Sequence, residues 1–258
     1  MGNYYFTSSA LPKLKVGERP EMGSHIFTIL LKLNLSSKDY QRTVDMRRLV
    51  DINNLRALWR GDQCDPRGNY NKKQMEEIMI LQEGLPEYVY DYIEQYNSVK
   101  DRLKFFPALV STAFGEEISH QTGFTKTYFE FERGLRLALL GFRAKKLGRD
   151  LMEELQYEDP EDDVVAQIVA QKDSKKYEPP AGFEDLKDIL EEDYNRPYRL
   201  YKKLCEYRFN RIEDFLIEDL FSIDRVLGYM AQLFIVEKWL ELDNQEGQKI
   251  VNKIIEKV

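Results

Sequence analysis

The sequence predicts an all-α protein, on three observations. Apolar residues recur at helical spacing along most of the chain. Helix start and stop signals are frequent, with Ser or Asn caps, prolines at first turns and glycines just past the ends. Alternation typical of strands is confined to residues 4–7, which read as a short β-like run or an extended arm.

The elements follow in order. Ser36, with Asp39 three positions on, makes a start resembling a capping box for a helix running to about Arg60. Asn71 with Gln74 starts a second helix, which reaches Glu83 and stops at Gly84. Pro86 suits the first helical position before EYVYDYIEQY. Pro107 likewise opens ALVSTAFGEEIS, because a first turn does not use the N–H that proline lacks. A long helix is expected over residues 129–151, FEFERGLRLALLGFRAKKLGRDL. Its glycines, Gly134, Gly141 and Gly148, recur every seven residues and share one stripe with Ala138. An interior glycine costs about 1 kcal/mol relative to alanine, so three in register predict the close approach of another backbone. Shorter helices are expected at 164–172, 183–193 and 197–209. Ser222 caps a helix through Leu242, and residues 245–258 form a last one.

The chain has 258 residues, 43% hydrophobic and 32% charged, enough to bury a core. A net charge of −7 argues against nucleic acid as the main partner, since phosphate binding needs a net basic face. Cys64 and Cys205 form neither a disulfide framework nor a zinc-ligand set and point to a reducing cytosol. The first nine residues lack the features of a secretory signal, and Phe6 stands where N-myristoylation needs Ser or Thr. The longest nearly apolar run, 226–236, is too short to span a bilayer. The acidic stretch EELQYEDPEDD (153–163) reads as a solvated loop in preference to a binding tail, and KDSKKYEPPAG (172–182) as a proline-containing loop. These divide the chain into an N-terminal helical portion, 1–155, a connector with a short helix, 156–182, and a C-terminal helical portion, 183–258.

Chemistry is sparse. No phosphate-binding loop, dinucleotide fingerprint, HExxH or GxSxG pattern occurs. Glu117 and His120 have the spacing of a di-iron half-site. The other histidine, His25, has Met22 where the second half-site needs glutamate, so a helix-end histidine is the simpler reading. Asp65, Pro66, Arg67 and Gly68 form a turn that connects two helices. On the long helix Glu132, Arg136, Arg143, Lys146 and Asp150 share an arc broken by Leu139. That arc is either a set of interhelical salt bridges or a contact surface in which Arg136 and Arg143 meet carboxylates of a partner. Asp224 suits the start of its helix, and Glu237, set among apolar residues, is expected to pair with a basic group. Leu-Arg pairs at 55–56 and 135–136 hint at duplicated units.

At DINNLRALWR, residues 51–60, the chain resembles the central-stalk component of the V-type and A-type rotary ATPases known as the C subunit (d in eukaryotes). The repeated units of that family carry an Asp-x-x-Asn-Leu-x-x-x-x-Arg helix, which Asp51, Asn54, Leu55 and Arg60 match in order. Residues 132–148 make a looser second match, and Val226, Leu227, Gly228 and Tyr229 with Glu237 a third. A closer likeness, over nearly the whole chain, is to an uncharacterised bacterial family encoded in V-type ATPase gene clusters, at the place where the gene for the C subunit would be expected. It is carried by YYF (4–6), FPAL (106–109), GFRAKKLGRD (141–150) and IDRVLGYMAQ (223–232).

The resemblance implies repeated helical units in a funnel-like or bundle-like protein. It implies a non-catalytic central-stalk adaptor of a V-type ATPase or ATP synthase, linking the rotating shaft to the membrane rotor ring. No cofactor and no metal would be needed. The location would be cytoplasmic, peripheral to the inner membrane through the complex. The residues expected to meet the rotor ring or the shaft are Asp51, Asn54, Arg56, Arg60, Glu132, Arg136, Arg143, Lys146, Arg149, Asp224, Arg225 and Glu237. A transient assembly or regulatory factor of the same complex, and a metal-dependent helical-bundle enzyme, are the alternatives.

Overall fold

The structure, a computed structural model, describes residues 4–174, 176–216 and 221–255, with side chains as far as residue 243. Among the described residues there are thirteen helices and no strand, so the fold is all-α. The chain forms two compact units, one from Met1–Thr43 with Asn195–Val258 and the other from Val44–Tyr194. These limits differ from the divisions near 155 and 182 expected from composition. The proline-containing segment buries Tyr177, whose hydroxyl donates to the Ala138 carbonyl at 2.7 Å within the second unit. Proline and acidic residues mark irregular backbone there, while packing continues through it.

The first unit holds α1 (Tyr5–Ser9), α2 (Ser24–Asn34), the opening turns of α3 (Ser37–Arg60), α12 (Pro197–Asp214) and α13 (Ile223–Ile255). Its spine is α13, in which Val226, Leu227, Met230, Leu233 and Val236 are fully buried. Helices α1, α2 and α12 pack on this spine. The Phe27 ring of α2 meets Tyr229 edge-on at 5.0 Å. Two expectations are corrected here. Residues 5–9 are helical, with the Tyr4 N–H bound to the Phe221 carbonyl at 3.0 Å, in place of an extended run. In place of a break near residue 243, α13 continues to Ile255; the last residues of the expected final helix, 256–258, lie outside the described residues. Helix α2 is an element that the sequence patterns do not announce. Its N-cap is Gly23, with no side-chain cap, and apolar residues lie on two of its faces, so neither a cap nor a clean period marks it.

The second unit holds the rest of α3 and α4 (Lys72–Leu81), α5 (Glu87–Gln95), α6 (Val99–Lys104), α7 (Phe106–His120), α8 (Gly123–Leu147), α9 (Leu151–Glu154), α10 (Asp163–Val169) and α11 (Leu186–Asp193). The Asn71–Gln74 capping box forms in both directions. The helix ends at Gln82, in the left-handed conformation, two residues before the expected stop at Gly84. Ile52, Leu55, Met75, Val89, Tyr92, Phe106 and Leu109 make one core. Helix α8 packs against α7, α9 and α10.

The glycine stripe on α8 works differently from the expectation. Gly148 is the left-handed cap that ends the helix, so only Gly134 and Gly141 are interior. What approaches them is side chains, not a backbone. A Cβ on Gly134 would lie 2.6 Å from the Phe183 ring, and one on Gly141 would lie 2.8 Å from Ile168 and 2.9 Å from Tyr177. At Gly115, in α7, a Cβ would meet nothing within 4 Å. Gly141→Ala should therefore destabilise the protein by about 1–3 kcal/mol through overpacking. Gly115→Ala should stabilise it by roughly 0.5–1 kcal/mol through helix propensity. Urea unfolding of both variants checks the opposite signs.

Candidate functional site

The motif that carries the resemblance to the rotary ATPases is a clamp inside the second unit. Asp51 and Asn54 are three residues apart on α3 and so face the same way. The segment that follows the helix is folded back onto that face. Asn54 accepts from the Asp65 N–H at 2.7 Å and donates to the Asp65 carbonyl at 3.0 Å. Asp51 accepts from the Asn69 N–H at 2.7 Å and from the Asn69 amide at 2.6 Å. Arg47 donates to the carbonyls of Arg67 and Gly68. Within the turn, Arg67 is buried and grips Asp65 with two bonds, at 2.7 and 3.0 Å. Gly68 is required there, because a Cβ would stand 2.5 Å from the Asp51 carboxylate. Burial, partly offset by the bonds from Asn69 and Tyr70, pushes the Asp51 carboxyl up to about 6.

Asp51 and Asn54 are thus buried, and no partner reaches them while the loop is closed. Arg56 and Arg60, farther along α3, are exposed. Arg56 lies over the Phe106 ring, 5.4 Å from its centre, and Arg60 pairs with Asp62 at 3.1 Å.

The charged arc of α8 splits in two. Arg136 pairs with Glu158, and the neighbouring Arg133 bonds Asp162 at 2.7 Å and Glu158 at 3.4 Å. Glu158 is buried, so the acidic stretch expected to be a solvated loop is tied to the arginines of α8. Glu132 is half-buried. Toward the helix end, Arg143 and Lys146 are exposed, with Lys146 over the rings of Phe142 and Tyr194. Arg149 pairs with Glu154 at 3.0 Å, and Asp150 leaves the arc to cap α9. The exposed Leu147 and Met152 adjoin this basic end.

In the first unit, Asp224 pairs with Arg42, and Arg225 pairs with Glu213 at 2.9 Å. Gln232, the last residue of the 223–232 segment that carries the family likeness, is buried and donates to Glu213 at 2.9 Å. Glu237 accepts from the Ser24 N–H at 2.7 Å, at the start of α2. A carboxylate suits a helix N-terminus as well as it suits a base.

An open cleft of about 530 Å³ lies between α3, α5 and α7. Asp45, Glu87, Asp91, Glu116 and Glu117 line it, with Arg48, Tyr88 and His120. Glu117 is buried and accepts from Arg48 at 2.9 and 3.1 Å and from the Tyr88 hydroxyl at 3.2 Å. Burial, with the Glu117 charge beside it, raises the Tyr88 hydroxyl pKa. His120 is exposed, its Nδ1 2.7 Å from the Glu116 carbonyl. Glu117 is therefore committed to Arg48, and the spacing that suggests a metal half-site leads to an ion pair. No group of three or more potential metal ligands occurs among the described residues.

The model of the family described as "Protein of unknown function (DUF2764)" matches residues 1–258. The chain belongs to the DUF2764 family. Similar proteins occur in Chlamydia muridarum, 30% identical over 98% of this chain and 97% of the relative, and in Chlamydia trachomatis serovar D, 29% identical over the same shares. A third, from Chlamydia pneumoniae, is 29% identical over 98% of each chain. All three bear the name "Uncharacterized protein". No solved structure matches. In this DUF2764 chain no described helix is long and apolar enough to cross a membrane.

Two measurements test the site's energetics. The folded pKa of Asp51 lies above its unfolded value of about 3.9, so folding favours the protonated form. That contribution is complete below about pH 4 and is lost as pH rises through 6. Compared with Asp51→Asn, the stability of the unaltered chain should fall by up to about 3 kcal/mol between pH 4 and pH 7 in urea titrations. A pH-independent difference would contradict the burial of a titrating carboxyl. Arg48→Ala, which strands Glu117, should cost about 3 kcal/mol, the low end for a buried pair because Arg48 keeps some exposure. Combining Arg48→Met with Glu117→Leu should recover most of that loss in the same assay.

Proposed function

We propose that this chain is a non-catalytic adaptor in the central stalk of a V-type ATPase or ATP synthase, joining the rotating shaft to the membrane rotor ring. The single observation that carries the reading is the clamp at Asp51 and Asn54, together with the resemblance of those residues to the repeated helix of the rotary-ATPase C subunit. A part that transmits torque needs stiffness and matched surfaces, not a reactive group. The clamp supplies stiffness by locking an irregular loop to its helix with buried hydrogen bonds, and the tie of Arg133 and Arg136 to Glu158 does the same on α8. The likeness to a bacterial family encoded in V-type ATPase gene clusters supports the same reading.

Arg143 and Lys146 are the contact residues we favour. They are exposed at the end of α8, beside Leu147 and Met152. A basic rim with apolar neighbours suits an acidic protein surface. Arg56, Arg60 and Arg149 remain accessible for a similar role.

Tagged protein expressed in its own host, extracted in mild detergent, should recover shaft and ring proteins in stoichiometric amounts. Arg143→Glu with Lys146→Glu should lower that recovery about tenfold or more while leaving the melting temperature within a few degrees. Recovery only with incomplete complexes would instead assign a transient assembly role, and recovery of neither shaft nor ring would end the proposal.

A further inference from the structure

Helix α2 is held on one side and bare on the other. Phe27 and Leu31 are buried in the first unit, and Glu237 binds the helix at Ser24. Ile26, Ile29, Leu30 and Leu33 face outward, with relative exposures of 53%, 46%, 41% and 75%. At helical spacing these four occupy an arc of roughly 100°. Lys32 and His25 border that arc on one side, and both are exposed. The apolar surface continues beyond the helix. Tyr4 bonds Ser36 and Asp39, just past the C-terminal end of α2. That contact brings α1 alongside, with Phe6 87% exposed and the Tyr5 ring tilted against Phe221, centroids 4.8 Å apart. Neither α1 nor α2 contains an acidic residue, in a chain with 45 of them. Lys38, also exposed, lies just beyond.

We infer that α1 and α2 form an interfacial membrane-docking surface for anionic phospholipid. A short helix with an apolar stripe, a basic edge and exposed aromatic side chains suits the boundary between headgroups and acyl chains. The lysines match anionic headgroups. A second copy of the chain suits the face less well. Two copies meeting there would bring like charges together. The inference stands apart from the rotor reading, because it concerns the isolated chain and a lipid surface.

Sedimentation of the full chain with vesicles tests it, using phosphatidylcholine alone and phosphatidylcholine mixed with phosphatidylglycerol. The unaltered chain should bind the anionic vesicles. Ile29→Asp with Leu33→Asp should weaken that binding at least about tenfold, and Leu33→Ser alone should weaken it measurably. Lys32→Glu with Lys38→Glu should weaken binding to the anionic vesicles and leave any binding to the neutral ones unchanged. Circular dichroism melts should match the unaltered chain, since every altered side chain is exposed. Failure of the unaltered chain to bind either vesicle overturns the inference, as does full binding by the Asp variants. Binding to solubilised membrane proteins without vesicle binding would overturn it too, by assigning the face to a protein.

Discussion

The second unit depends on one interaction, the capture of the segment after α3 by Asp51 and Asn54. A loop lying on a helix has backbone groups that water can no longer reach, and each one left unpaired costs about 1–3 kcal/mol. Here the two side chains meet the N–H groups of Asp65 and Asn69, and Arg47 meets the carbonyls of Arg67 and Gly68. The loop delivers Asn71 to its capping box, and α4 then places Met75 in the core with Ile52 and Leu55. The stabilisation has an internal cost, because Asp51 is charged at neutral pH in a place where burial favours the proton. Accepting the Asn69 bonds offsets only part of that cost. Keeping a carboxylate in such a site makes sense where the exact course of the loop matters more than total stability.

Helix α8 repeats the logic with different materials. Its glycines remove side chains so that Phe183, Tyr177 and Ile168 can lie directly on the helix. The Tyr177 hydroxyl then bonds the Ala138 carbonyl, and Phe183 stacks on Phe131. On another side, the acidic stretch is drawn in through Glu158 and Asp162. Two irregular segments, one acidic and one proline-containing, are thereby fixed to a single regular element. Such an arrangement converts sequence that looks like linker into part of a rigid body.

Much of the helical framework is legible in the sequence, and the reasons for what is and is not are physical. Ser36, Asn71, Pro86, Pro107 and Ser222 announce starts because caps and first-turn prolines act within a few residues of themselves. Helix α2 escapes notice because a glycine opens it and its exposed face is apolar, so local polarity gives no signal. The end of α8 is hidden because a glycine in register with two others looks interior, when only its backbone conformation reveals a cap. For the candidate site, spacing identifies the residues but not their partners. Asp51 and Asn54 do share a face, yet whether that face meets another protein or the chain's own loop is decided by packing roughly fifteen residues onward. Arg136 with Glu158, and Glu117 with Arg48, show the same gap. A pattern gives the chemistry of one group, and the fold supplies the other.

Two firmly braced helical regions suit the mechanical role proposed above. The most direct test is an electron cryomicroscopy map of the intact V-type ATPase from the organism that encodes this chain. The adaptor reading predicts one all-helical density per complex between shaft and ring, into which the Val44–Tyr194 unit fits with its Asp51 loop closed. A mature, active complex whose shaft meets the ring through another protein, with no density for this chain, would contradict it.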